Sequence, residues 1–167
     1  MTAVTSWWSM VSASTARGGL RVRYQAKEVS AGALHLAFGR VPSSYFDMGI
    51  RSGEDFRDIY YRVYMRNQAG WQGSPAKLSR ATVFAGSNWS QAMIAHLWSS
   101  GNFLLIDPAS GVDGSGKVVT TKYNDFGNLR WLGLKRGVTP IFASQNADRW
   151  FCIEAHVRLN DPGQSNG

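Results

Sequence analysis

Apolar and polar residues alternate with period two in the segment 150–159. Successive side chains of a β-strand point to opposite faces, so this pattern predicts a strand with one core face and one solvated face. The core face would carry Phe151, Ile153, Ala155, Val157 and Leu159. The solvated face would carry Cys152, Glu154, His156 and Arg158.

The same period recurs along the chain, and no window has the stripe of an amphipathic helix. In 58–66 the polar face would carry Tyr60, Arg62, Tyr64 and Arg66. Gly- and Ser-rich turns separate the short strand candidates, which is typical of an antiparallel sandwich, jelly roll or barrel. The predicted strands are 19–25, 32–39, 45–50, 58–66, 78–84, 91–98, 102–106, 117–122, 129–134 and 150–159.

A chain of 167 residues suits one domain with one core. We expect residues 1–18 to form an irregular N-terminal arm and 19–167 to form a single β-sandwich domain. Pro162-Gly163 and Asn166-Gly167 are turn dipeptides that follow the last predicted strand. A turn normally leads into a paired strand, so we expect the sandwich to be incomplete at the C-terminus, without its terminal strands.

The charge balance favours an anionic partner. Lys and Arg outnumber Asp and Glu by 18 to 11, for a net charge of +7, and such a bias attracts anions over long range. Nucleic acid, acidic polysaccharide and phospholipid all fit this description. The basic residues are dispersed rather than clustered, which disfavours nucleic acid relative to a groove-shaped binder. Aromatic residues make up 13% of the chain, and exposed rings stack on sugars. Exposed rings beside cations also suit single-stranded nucleic acid, which stays an alternative.

Other classes of protein lack support in the sequence. No apolar run reaches the roughly 20 residues that a membrane-spanning helix needs, so no membrane insertion is predicted. No signal peptide is visible, and localisation stays open, although a protein acting on polysaccharide would be extracellular. Cys152 is the single cysteine, and we predict neither a metal site nor a cofactor. Glycoside hydrolysis needs two carboxylates, whereas Glu154 is alone on its strand.

Four segments carry a resemblance to a known family. The run from Trp150 to Gly167 resembles a segment of concanavalin A-like jelly rolls, the group of lectins and glucanases that includes polysaccharide-lyase-like proteins. The segments 30–36 and 58–66 resemble early paired strands of that fold, and 77–80 resembles the strand that follows. The resemblance implies an all-β antiparallel sandwich of two curved sheets, with sugar-binding or catalytic side chains on a concave face.

The predicted function is therefore binding of an acidic polysaccharide in a cationic groove, with eliminative cleavage as an additional activity that the resemblance allows. The alternative is a non-enzymatic carbohydrate- or surface-interaction module, so enzyme activity stays open. An elimination needs a group that neutralises the uronate carboxylate, together with an acid and a base. His156 and Tyr64 are the predicted acid–base residues and Arg62 the carboxylate clamp. The predicted substrate-binding residues are Arg62, Tyr64, Arg66, Arg80, Gln91, His96, Glu154 and Arg158.

Overall fold

The structure is a computed structural model that describes residues 2–6, 22–23, 34–40, 50–73, 77–161 and 163–167. The described residues form nine β-strands and two 3₁₀ turns, and none of them lies in an α-helix. The strands pair antiparallel in two sheets. The strands are β1 (Thr2–Ser6), β2 (Leu34–Phe38), β3 (Asp58–Met65), β4 (Lys77–Phe84), β5 (Gln91–Ser100), β6 (Phe103–Ser110), β7 (Arg130–Trp131), β8 (Lys135–Arg136) and β9 (Phe151–Arg158).

The large sheet has seven strands, in the order β2-β1-β4-β5-β6-β7, with β8 also paired to β6. Irregularities in the β4–β5 register fall between Lys77 and Ser79 and between Val83 and Phe84. The small sheet consists of β3 and β9. Its register sets Arg62 opposite Glu154 and Tyr60 opposite His156.

The two sheets pack against each other across the main core. Met65 from β3 and Ile153 from β9 share a buried cluster with Leu78, Leu97 and Phe142. A buried side chain of this kind contributes about 1.5–3 kcal/mol relative to an exposed one. The Tyr61 hydroxyl lies 3.1 Å from the Ser79 hydroxyl and joins the layers by a hydrogen bond. The fold is therefore an all-β sandwich of two antiparallel sheets.

Most of the predicted strands are confirmed. Where a strand has one face in the core and one in solvent, apolar and polar residues alternate along it in step with their burial. The burial of β3 and β9 follows period two over most of each strand. Strands within 32–39, 58–66, 78–84, 91–98, 102–106 and 150–159 are present, and β6 continues to Ser110.

Three expectations differ from the structure. The segment 117–122 is not a strand, and only an isolated bridge joins Val118 to Val112. Only Arg130–Trp131 of 129–134 is a strand, and β8 was not predicted. Thr2–Ser6 lies in the predicted irregular arm but pairs with both β2 and β4. Its five residues are too few for a clear alternation signal. The predicted strands 19–25 and 45–50 fall almost wholly outside the described residues.

Candidate functional site

The predicted site residues lie on two different outer faces of the sandwich. Met65 and Ile153 point into the core, so the alternate residues of β3 and β9 point away from the large sheet. We call this surface the small-sheet face; it carries Tyr60, Arg62, Tyr64, Cys152, Glu154, His156 and Arg158.

The second outer surface belongs to the large sheet. Ser79 and Leu97 are register partners that face the small sheet, so their neighbours Arg80 and His96, also register partners, lie on the opposite surface. We call this the large-sheet face; it carries Lys77, Arg80, Gln91, His96 and Trp98. A single groove holding all the predicted binding residues is therefore not present, because Arg80, Gln91 and His96 are separated from the small-sheet face by both layers.

Charges on the small-sheet face are paired with one another. The Arg62 Nε donates to Glu154 Oε2 at 2.8 Å, and its Nη2 donates to the same oxygen. His156 Nε2 lies 2.7 Å from Asp58 Oδ1, and its ring stacks on Tyr60 at 4.0 Å between centroids. An incoming carboxylate would have to compete with Glu154 for Arg62.

The remaining predicted residues of this face lie at its ends. Tyr64 is 41% exposed and is the register partner of Cys152. Arg158 is the register partner of Asp58. Arg66 follows β3, and its Nη1 lies 3.3 Å from Asp148 Oδ1. The Arg66 guanidinium also lies 5.4 Å from the Trp150 ring centroid. The face is thus an exposed ribbon of two strands.

Arg80 on the large-sheet face is a buried cation. It is 8% exposed; its Nη1 donates to Asn124 Oδ1 at 2.9 Å, and its guanidinium lies 4.8 Å from the Tyr123 ring centroid. The buried Nε has no hydrogen-bond partner, and no carboxylate of the described residues pairs with Arg80 or Lys77. Burial lowers the pKa of Arg80 to about 10. The guanidinium remains charged at neutral pH and has no counter-ion among the described residues.

His96 lies beside Arg80 and is 2% exposed. Its Nδ1 is 3.3 Å from the Asp107 carbonyl oxygen, which only accepts hydrogen bonds and so assigns the proton of the neutral ring to Nδ1. The other nitrogen, Nε2, is buried and has no hydrogen-bond partner within the part of the chain that the structure describes. Burial, and next the positive charge of Arg80, lower the pKa of His96 to about 4. At neutral pH the ring is uncharged and offers a free lone pair at Nε2.

Aromatic rings surround this basic centre. The His96 ring centroid lies 4.4 Å from that of Trp98 and 5.6 Å from that of Trp131. The Lys77 ammonium lies 5.4 Å from the Trp98 ring centroid and 5.9 Å from that of Phe126. Burial and the charge of Arg80 lower the pKa of Lys77. Trp131 is 42% exposed and Phe126 39%, so both rings remain available to a ligand.

One loop, residues 120–131, holds Tyr123, Asn124 and Phe126 against the large-sheet face. The Gln91 backbone N–H donates to Thr120 Oγ1 at 2.9 Å, and the Thr120 hydroxyl donates to the Gln91 carbonyl at 2.8 Å. The Asn124 N–H donates to Gln91 Oε1 at 2.6 Å. Asn124 has φ +55°, a left-handed conformation that asparagine tolerates well. Gln91 thus fixes the loop that positions Arg80 through Oε1, while its buried Nε2 has no hydrogen-bond partner among the described residues.

Sequence reasoning missed the loop residues Tyr123 and Asn124 as parts of the site. Both residues contact Arg80, although they follow it by 43 and 44 positions in the sequence. The only local signal was the polar run 122–125, which also fits an ordinary turn.

The described residues contain neither a cluster of metal-ligand side chains nor a membrane-spanning helix. No three His, Cys, Asp or Glu side chains there are grouped as metal ligands would be. No helix in those residues is long and apolar enough to cross a membrane. The large-sheet face offers a cation without a counter-ion in the described ranges, a neutral imidazole and exposed rings.

Comparison with known protein families, with curated proteins and with solved structures found no match to this chain.

Proposed function

We propose that the large-sheet face binds an acidic polysaccharide through the carboxylates of its uronic-acid residues. The observation that carries this proposal is the buried Arg80 guanidinium without a carboxylate partner among the described residues. A buried charge is costly unless it is paired, so a cation kept in this state favours a role in ligand binding over a role in stability. The planar fork of arginine matches a carboxylate in two parallel hydrogen bonds.

The rings around Arg80 favour a sugar over a small inorganic anion. Trp131 and Phe126 are partly exposed, and their centroids lie 6.2 Å apart with planes inclined by only 24°. Such a pair offers a nearly continuous apolar platform for the C–H face of a pyranose. Lys77, beside Phe126 and Trp98, adds a second cation for a neighbouring uronate.

His96 makes eliminative cleavage chemically possible on the same face. The proton on the carbon next to the uronate carboxylate would pass to His96 Nε2, and its electron pair would form the new carbon–carbon double bond. The bond to the leaving sugar oxygen would break, and that oxygen would take a proton from water or from the Tyr123 hydroxyl. A bound carboxylate would offset the charge of Arg80 and raise the pKa of His96 toward its ordinary value.

The Trp98 and Trp131 rings lie against His96 but need not move for a ligand to reach Arg80. Binding can therefore occur without cleavage. Cleavage would require Nε2 to be uncovered, whereas binding to Arg80 would not. In this proposal the two sheets are those of a concanavalin A-like jelly roll, a fold that often carries sugar-binding residues on one sheet.

The alternative is a non-enzymatic surface-interaction module that uses the small-sheet face. Tyr60 is 70% exposed there, and the alternating rings and charges offer a flat contact surface. His156, Tyr64 and Arg62, which the sequence predicts for eliminative cleavage, lie on that face. Their internal pairing favours contact with a neutral or zwitterionic surface over capture of a polyanion.

Titration calorimetry with alginate, polygalacturonate and heparin tests the proposal, with neutral dextran as the control polymer. We expect binding to at least one polyanion and none to dextran. A single-stranded oligonucleotide in the same assay tests the nucleic-acid alternative. Ultraviolet absorbance of unsaturated products distinguishes cleavage from binding alone.

Two arginine variants locate the binding site. Arg80→Met should weaken polyanion binding by about 10- to 100-fold, as expected for a lost charge-assisted hydrogen bond. Arg62→Met should leave it within about twofold. The opposite ranking would assign binding to the small-sheet face, and binding of none of the polyanions would contradict the proposal.

A further inference from the structure

The edge of β9 that no described residue pairs with borders an apolar groove between the two layers. The groove measures about 260 Å³ and includes four consecutive β9 residues, Phe151–Glu154, but none from β3. It therefore lies along the edge of β9 that faces away from its partner strand. Leu104, Ile141 and the 91% exposed Val138 form much of the remaining lining.

An edge of this kind is a template for another strand. Within the described residues, β9 pairs only with β3. Its eight residues contain no proline, lysine or glycine that would discourage edge pairing. One edge of the large sheet is protected differently, since β7 and β8 are strands of two residues, rich in Arg and Lys, separated by Gly133 at φ +103°.

The sequence of β9 is complementary to itself in one antiparallel register. Centred on Ala155, a two-fold axis would set Glu154 opposite the partner's His156 and Ile153 opposite the partner's Val157. Side chains opposite each other lie on the same face, so the polar pair would be outside and the apolar pair inside. Phe151 would meet the partner's Leu159 over the groove, and these apolar side chains would cover Val138.

We infer that this chain forms a symmetric dimer by antiparallel pairing of β9 with the β9 of a second copy. The small sheets of the two copies then form one four-stranded sheet, in which the order of the strands is β3-β9 followed by the partner's β9-β3. The contact is isologous and closed, so association stops at the dimer.

An engineered disulfide tests both the interface and its register. Cys152, the single cysteine of the chain, would lie opposite the partner's Arg158. Cα atoms of directly opposed antiparallel residues are about 4.5–5.5 Å apart, within the range of a disulfide. Cys152 and residue 158 of one copy are about 20 Å apart along an extended strand, so they cannot bridge within a chain.

Arg158→Cys should give a covalent dimer under mild oxidation at least tenfold faster than wild type. Lys117→Cys, an exposed position on a remote turn, is the control for random collision. Circular dichroism verifies that both variants are folded. Analytical ultracentrifugation of the reduced wild type should show a concentration-dependent dimer. A monomer at every concentration, or Arg158→Cys cross-linking no faster than Lys117→Cys, would overturn the inference.

Discussion

Replacing Arg80 by methionine should stabilise the protein while weakening its binding to polyanions. Methionine keeps most of the length of the side chain and removes the charge. If Arg80 served stability, the same change would leave a cavity or a lost bond and lower the free energy of unfolding. A ligand-binding role therefore predicts an increase in the free energy of unfolding, and a stabilising role predicts a decrease.

The magnitude follows from the burial of the guanidinium. Burial lowers its pKa to about 10, well below the ordinary value of an arginine side chain, and this displacement corresponds to about 3 kcal/mol of unfavourable charge burial at neutral pH. Removing the side chain also leaves Asn124 Oδ1 without its donor and ends the contact with the Tyr123 ring. Each of these losses costs about 1 kcal/mol. The expected net gain in the free energy of unfolding is about 1 kcal/mol.

Urea unfolding at pH 7 measures this gain, and Arg136→Met is the matched control. The Arg136 guanidinium lies 4.7 Å from the Phe103 ring centroid, and the Arg80 guanidinium lies 4.8 Å from the Tyr123 ring centroid. The two cation–ring contacts are therefore alike, but Arg136 is exposed whereas Arg80 is buried. The control should therefore lose up to about 1 kcal/mol in the free energy of unfolding. A loss of stability in Arg80→Met as large as 2 kcal/mol would refute the reasoning and make Arg80 a structural residue.

Three further predictions concern stability. The pKa of His96 is lowered to about 4, so the unfolded chain binds a proton that the folded protein excludes. The contribution of His96 to the free energy of unfolding is then fully present above pH 6.5, and the free energy should fall by about 1–3 kcal/mol as the pH drops toward 4. His96→Gln should flatten this pH dependence in urea titrations. A Cβ at Gly111 would lie 1.9 Å from the Gln91 carbonyl oxygen, so Gly111→Ala should lower the melting temperature and weaken polyanion binding, whereas Gly114→Ala, in open space, should do neither. Met65→Ala should cost about 2–5 kcal/mol in urea unfolding because Met65 is 1% exposed between the sheets; a cost below 1 kcal/mol would contradict the packed core.

Alternation was enough to predict β3 and β9, because each has one core face and one solvated face. Their pairing also sets the predicted polar residues side by side, with Arg62 opposite Glu154. The pattern could not reveal that these charges would pair with each other. That outcome depends on the register of two strands separated by 85 intervening residues.

The large-sheet face was harder to predict because β4 is buried on both faces. Seven of its eight residues, including Arg80, are buried, so its sequence gives no alternation from which to assign a solvated side. Arg80, Gln91 and His96 were candidates by residue type alone. Their environment is created by the 120–131 loop, whose position follows from hydrogen bonds to Gln91 rather than from any local pattern.

Side-chain nitrogen NMR during titration with an oligouronate tests the central claim most directly. The binding account predicts that the signals of Arg80 Nε, His96 Nε2 and Trp98 Nε1 shift together and saturate with one affinity. The signals of Arg62 and His156 should stay fixed. Shifts confined to Arg62 and His156, with the large-sheet face unchanged, would contradict the account.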